Sequence, residues 1–74
     1  MYKYNKTEQA YIEAIGERIT KARKALGMTQ EQLADAIPMD RSGLSFIETG
    51  RNACNVVTLM KIAAVLGVDA KQLL

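Results

Sequence analysis

The sequence predicts an all-α fold, a bundle of five short helices, on three observations. Apolar residues recur at alternating three- and four-residue steps, the stripe of amphipathic helices. Glycines, a single proline and helix-capping residues fall where those stripes end, and no segment reads as a strand. The chain has 74 residues, 49% of them hydrophobic but only 5% aromatic, so it has room for one small domain with an aliphatic core.

The elements follow in order. Ile12, Ile15, Ile19, Ala22 and Leu26 form the first stripe, starting near Thr7 or Glu8 and closed by Gly27 as a left-handed residue. Residues 1–7 carry no periodicity and are expected to fray as an extension, unless Tyr2 and Tyr4 fold back on the body. Thr29-Gln30-Glu31-Gln32 is a capping box for a short second helix with Leu33, Ala34 and Ile37 inward. Pro38 closes it and biases Ile37 away from helix. Asp40 is the expected N-cap of a third helix that runs to about Thr49 and stops at Gly50. Asn55 caps a fourth, whose stripe is Leu59, Ile62, Ala63 and Leu66, ended by Gly67. Asp69 caps a last short helix carrying Leu73 and Leu74.

Composition narrows the function. Cys54 is the one cysteine and histidine is absent, which excludes a disulfide and a tetrahedral zinc site. The same counts exclude Ser-His-Asp and Cys-His catalysis and remove the usual proton shuttle. An enzyme is not expected, nor is a cofactor or metal. No apolar run is long enough to span a bilayer, and the opening MYKYNKTEQ lacks the apolar middle of a signal peptide. A lone thiol fits a reducing compartment, so the expected location is the cytoplasm. A net charge of +2 and a pI near 8.9 weakly favour an anionic partner.

The connection between the second and third helices is the informative feature. Only Pro38 and Met39 separate Ile37 from the cap at Asp40, which forces a sharp helix-turn-helix. On a helical wheel Arg41, Ser42, Ser45, Phe46 and Thr49 share an arc of about 140°. Leu44, Ile47 and Gly43 take the other side, with Glu48 at its margin. A guanidinium can grip guanine O6 and N7, and hydroxyls can meet several base edges. Arg41, Ser42, Ser45 and Thr49 are therefore candidate base-reading residues for double-stranded DNA; the bland alternative is a solvated helix face. Phe46 reads better as a partly buried packing residue than as a thymine-methyl contact. Gly43 costs about 1 kcal/mol against alanine inside a helix, which a close approach to the first helix would explain.

Other polar groups surround this helix. Gln30 stands at the first position after a cap, where free N–H groups suit a phosphate. Arg51 and Asn52 follow the reading helix and are candidates for the neighbouring backbone. Lys21, Arg23 and Lys24 crowd positive charge at the end of the first helix, with Arg23 a candidate phosphate contact. Complementation of the helix dipole accounts at least as well for the two lysines.

With these residues in place, Arg23 to Leu74 resembles the lambdoid-phage-repressor, or XRE-type, helix-turn-helix family. The match is carried by Thr29-Gln30, Leu33-Ala34, Arg41-Ser42, Leu44-Ser45, Ile47-Glu48, Gly50, Thr58-Leu59, Ile62-Ala63, Leu66-Gly67-Val68 and Leu73-Leu74. Met39-Asp40-Arg41-Ser42 with Leu44-Ser45 and Ile47-Glu48, in so short a chain, is more narrowly similar to the controller proteins of type II restriction–modification systems. The resemblance implies that Gln30 clamps a phosphate and that Arg41, Ser42 and Ser45 face base edges. It also implies that Arg23 and Glu48 pair between the first and third helices. Its functional implication is a transcription regulator that activates at low occupancy of its operator and represses at high occupancy, with RNA polymerase a further partner. An antitoxin or phage repressor shares the frame, and a helical protein-interaction module is the alternative of a different class. The family's turn glycine is replaced here by Pro38, so this turn must use negative φ.

Val56 to Leu66 is apolar except for Thr58 and Lys61. A helix apolar all round is buried, and one small bundle cannot cover every side. A homodimer is therefore expected, with Val56, Val57, Met60, Val65, Leu73 and Leu74 at its interface; the alternative is that the last helix covers the fourth completely. Two-fold symmetry would present the reading helices to a pseudo-palindromic operator.

Overall fold

The computed structural model describes residues 3–74. These form four α-helices, α1 (Lys6–Ala25), α2 (Gln30–Ala36), α3 (Arg41–Glu48) and α4 (Val56–Leu66), followed by a single 3₁₀ turn (Ala70–Leu73). The expected fifth helix is thus corrected to a 3₁₀ turn. Its four residues are too few to build an α-helical ladder, and the tighter i→i+3 pattern closes over so short a span. Asp69 does cap it, accepting from Lys71 N at 3.0 Å.

The first helix begins earlier than its apolar stripe suggests. Asn5 Oδ1 accepts from Glu8 N at 2.8 Å, and Glu8 Oε1 accepts from Asn5 N at 2.9 Å. That reciprocal capping box draws Lys6 and Thr7 into the helix and out of the supposed extension. Tyr4 is 43% exposed; Tyr2 lies outside the described residues. At about 1.5 Å per residue, the 20 residues of α1 run nearly the full 32 Å length of the molecule.

Each element contributes one large side chain to the fully buried centre: Ile19, Leu33, Leu44, Ile62 and Leu73. Leu73 is therefore a core residue of the single chain, at 2% exposure, and is removed from the expected dimer interface. The aliphatic core forms as expected, with Ala34, Ile37, Ile47, Leu59, Ala63 and Leu66 completing it.

The α2 capping box forms, with Thr29 and Gln32 bonded in both directions. Ile37, expected to leave the helical region, keeps φ −80° and ψ −36°. Its side chain is anchored in the core at 8% exposure, and the bond from Ile37 to Pro38 is cis. No residue other than glycine has positive φ among those described, so the turn through Pro38 does run at negative φ.

The close approach of α1 to α3 occurs at Gly16 and not at Gly43. A Cβ on Gly16 would collide with Ile47 O and would lie 2.7 Å from Glu48 O. At Gly43 the nearest group is the Met39 methyl at 3.4 Å, an ordinary contact. Gly16 is the hole through which α3 lies down on α1.

Candidate nucleic-acid interface

The core decides which way α3 faces. Leu44, Ile47 and Glu48 are buried, which leaves Arg41, Ser42, Phe46 and Thr49 exposed and Ser45 half-buried on the opposite side. Arg41 makes no ion pair among the described residues, so its guanidinium is available for a bidentate grip. Thr49 is less free than its exposure suggests. Its hydroxyl donates to Ser45 O at 2.8 Å, so it can approach a base only as an acceptor.

Asp40 stands at the N-cap of α3 as expected, but its side chain makes no capping bond. Asn5, Thr29, Asn55 and Asp69 all cap their helices through the side chain. The Asp40 carboxylate instead stands in solvent beside Arg41.

Beneath the outer face lies a closed polar network. Arg23 Nε donates to Glu48 Oε2 at 2.8 Å and Arg23 Nη2 to Glu48 Oε1 at 2.9 Å, a two-pronged pair. Arg23 Nη1 donates to Met28 O at 2.8 Å. Thr20 Oγ1 and Gln30 Nε2 each donate to Glu48 Oε1 at 3.0 Å. Burial by itself would raise the Glu48 pKa, but the hydrogen bonds from Arg23, Gln30 and Thr20 and the charge of Arg23 hold it below its ordinary value. Arg23 forms the expected pair with Glu48 and is only 7% exposed, with all three guanidinium nitrogens bonded inside the fold, so its expected phosphate contact is dropped. Thr20 has no role in the sequence reading, because a lone threonine on a helix carries no signal until α3 is laid across it.

Above this network opens a cleft of about 550 Å³ lined by Glu17, Thr20, Lys21, Lys24, Gln30 and Thr49 together with the buried pair. The two exposed lysines bring positive charge to its edge. The Gln30 amide reaches its floor with one N–H committed to Glu48, leaving a second for an incoming acceptor.

Beyond the far end of α3, Gly50 takes φ +77° and the chain turns back, with Arg51 N and Asn52 N both donating to Phe46 O. Gln9 Nε2 secures this corner by donating to Gly50 O at 2.7 Å. The Arg51 guanidinium lies 5.6 Å from the centre of the Phe46 ring, and both Arg51 and Asn52 are exposed. Phe46 is thus 38% exposed and covered on one side by Arg51, a partly buried residue outside the core.

A second surface lies on α4. Val56, Val57 and Met60 are exposed by 72%, 60% and 58%, and Ala64 continues the stripe one turn on. Leu74 adds to the exposed apolar residues at 59%. Val65 is half-buried and packs against the core, so its share in any interface is small. No helix among the described residues is long and apolar enough to cross a membrane, and none of their acidic or cysteine groups cluster as metal ligands.

A four-helix frame that turns α3 outward beside a cleft edged by Lys21 and Lys24 defines a helix-turn-helix protein of the DNA-binding regulator class. The chain belongs to the helix-turn-helix family HTH_3, whose model matches residues 19–73. It is 37% identical over 59 residues to control protein C.MunI from Mycoplasma sp., covering 78% of this chain and 80% of that one. It is 36% identical over 59 residues to YonR, an uncharacterized HTH-type transcriptional regulator derived from the SPbeta prophage of Bacillus subtilis; that match spans 80% of this chain but 55% of YonR. Among solved structures, the restriction-modification controller protein C.AhdI from Aeromonas hydrophila superposes with a TM-score of 0.84 at 31% identity, over 88% of this chain and 98% of that one. SinR, a master regulator for biofilm formation solved in complex with DNA, superposes with a TM-score of 0.76 at 35% identity, over 80% and 95%.

Proposed function

We propose that the chain is a homodimeric, sequence-specific transcriptional regulator that controls a restriction–modification operon through a pseudo-palindromic operator. The observation that carries this reading is the outward row of Arg41, Ser42 and Ser45 on a helix held rigidly by the Arg23–Glu48 pair. Arg41 grips a guanine edge, while Ser42 and Ser45 meet neighbouring bases. Gln30, with Lys21 and Lys24 at the cleft, takes a phosphate and sets register; Arg51 and Asn52 hold the backbone past the end of α3.

The exposed stripe of Val56, Val57, Met60 and Ala64, joined by Leu74, is the surface a second copy would cover. A two-fold dimer would set its reading helices about 34 Å apart, one turn of DNA. Similarity to C.MunI and C.AhdI favours the controller role, in which activation followed by repression tracks operator occupancy and activation requires a contact with RNA polymerase. Similarity to the prophage-derived YonR favours a second reading, a phage-type repressor with the same DNA chemistry.

Binding to random duplex DNA over a range of salt tests the reading. A DNA-binding dimer loses affinity linearly in log–log form, with a slope set by the phosphates it contacts. A chain without salt-dependent DNA affinity is instead a helical interaction module.

A further inference from the structure

We propose that Asp40 is a specificity-determining residue that reads a cytosine beside the guanine held by Arg41. The inference rests on the DNA-binding reading above and extends it to a residue that reading leaves unused. Asp40 directly precedes Arg41 at the leading end of α3, the end that reaches base edges in helix-turn-helix docking. Its carboxylate is exposed and bonds neither the N-terminal amides of its own helix nor any cation among the described residues.

An ionised carboxylate only accepts hydrogen bonds. In the major groove it can therefore meet only the exocyclic amines of cytosine and adenine. Adenine presents the N7 acceptor next to its amine on the same base edge, which repels a carboxylate. Guanine O6 and N7 and thymine O4 repel it outright. Cytosine N4 remains as the favoured partner. The negative charge also faces the phosphates, so Asp40 weakens binding wherever no cytosine amine meets it. Discrimination arises from both terms together. The alternative source of the residue is the helix dipole, which an N-terminal carboxylate stabilises without a direct bond. Such a role would alter melting and leave base preference untouched.

The experiment selects bound sites from a random duplex pool with the wild-type chain, Asp40→Asn and Asp40→Ser, with thermal melts confirming that each variant is folded. Wild type is expected to enrich cytosine at one position in each half-site. Asp40→Asn should move that position toward adenine, whose N6 and N7 suit an amide, and Asp40→Ser should lose the preference there. Affinity for the wild-type site should fall roughly tenfold in both variants, the loss of one good base contact, while affinity for random duplex rises. Identical preferences in all three proteins overturn the inference and leave the DNA-binding reading standing. A wild-type chain that enriches no sequence overturns both.

Discussion

Arg23 on α1 holds both carboxylate oxygens of Glu48 on α3, with N···O distances of 2.8 and 2.9 Å, and both side chains are almost wholly withdrawn from water. Removing one partner strands the other charge in the interior, at a cost of about 3–5 kcal/mol. A domain this small is held by a comparable margin. Arg23→Ala is accordingly expected to be largely unfolded at 37 °C by far-ultraviolet circular dichroism. The double variant Arg23→Met with Glu48→Leu should recover much of the loss, since no charge is left unpaired; equal instability of the single and double variants would refute the pair's role.

The same carboxylate gives the fold a pH dependence with a defined sign. Burial pushes the Glu48 pKa up, but its hydrogen bonds and the Arg23 charge more than offset that, leaving it below the ordinary 4.5. A depressed folded-state pKa contributes stability that is complete above the unfolded value and is lost as pH falls through the folded one. The contribution is therefore intact at pH 7 and disappears on acidification below about 4.5. Urea midpoints between pH 7 and pH 3 should fall less steeply for Glu48→Gln than for wild type, from a lower starting value. Parallel slopes would assign the acid sensitivity elsewhere.

Gly16 is where the backbone of α3 touches α1. Alanine normally favours a helix interior over glycine, but here its methyl would meet backbone oxygens that cannot yield without moving α3. Gly16→Ala should lower stability by about 1–3 kcal/mol, the range for overpacking a tight contact. Chemical denaturation reads this directly; a stabilised variant would show that the two helices can separate freely.

Arg41 touches nothing that the fold depends on, so Arg41→Ala should melt like wild type. Its affinity for the selected operator should drop by about 1–3 kcal/mol, with specificity relaxed at one base pair. Titration of labelled duplex measures it, and unchanged binding removes Arg41 from the reading role.

A charge on the α4 stripe should separate subunits without disturbing the core, because Met60 is 58% exposed. Met60→Glu is expected to sediment as a monomer at concentrations where wild type is dimeric, and to bind the operator more weakly. A dimer that survives this change uses another surface.

The local signals in the sequence carried the helical frame and the outer face of α3. Stripes at Leu59, Ile62, Ala63 and Leu66, the capping box at Thr29 and Gln32, and glycines at positions 27 and 67 depend on neighbours a few residues away, and each formed where it was read. Asp40 sits at its expected N-cap position, yet its side chain is unbonded there. Arg41 and Ser42 face outward for a similar reason, because Leu44 and Ile47 leave them no other side.

Tertiary packing decided what periodicity cannot express. Leu73 belongs to the core and Arg23 to the interior, although an apolar or charged residue near a helix end looks the same whether covered or bare. The tight spot between helices fell at Gly16, while Gly43 carries the same helix penalty without such a contact. Thr20, Gln30 and Glu48 became one network only because α1, α2 and α3 meet around a single carboxylate. Such contacts join residues 18 and 28 positions apart. Chain patterning sets which side of a helix is apolar, and only the docking of whole helices sets which atoms touch.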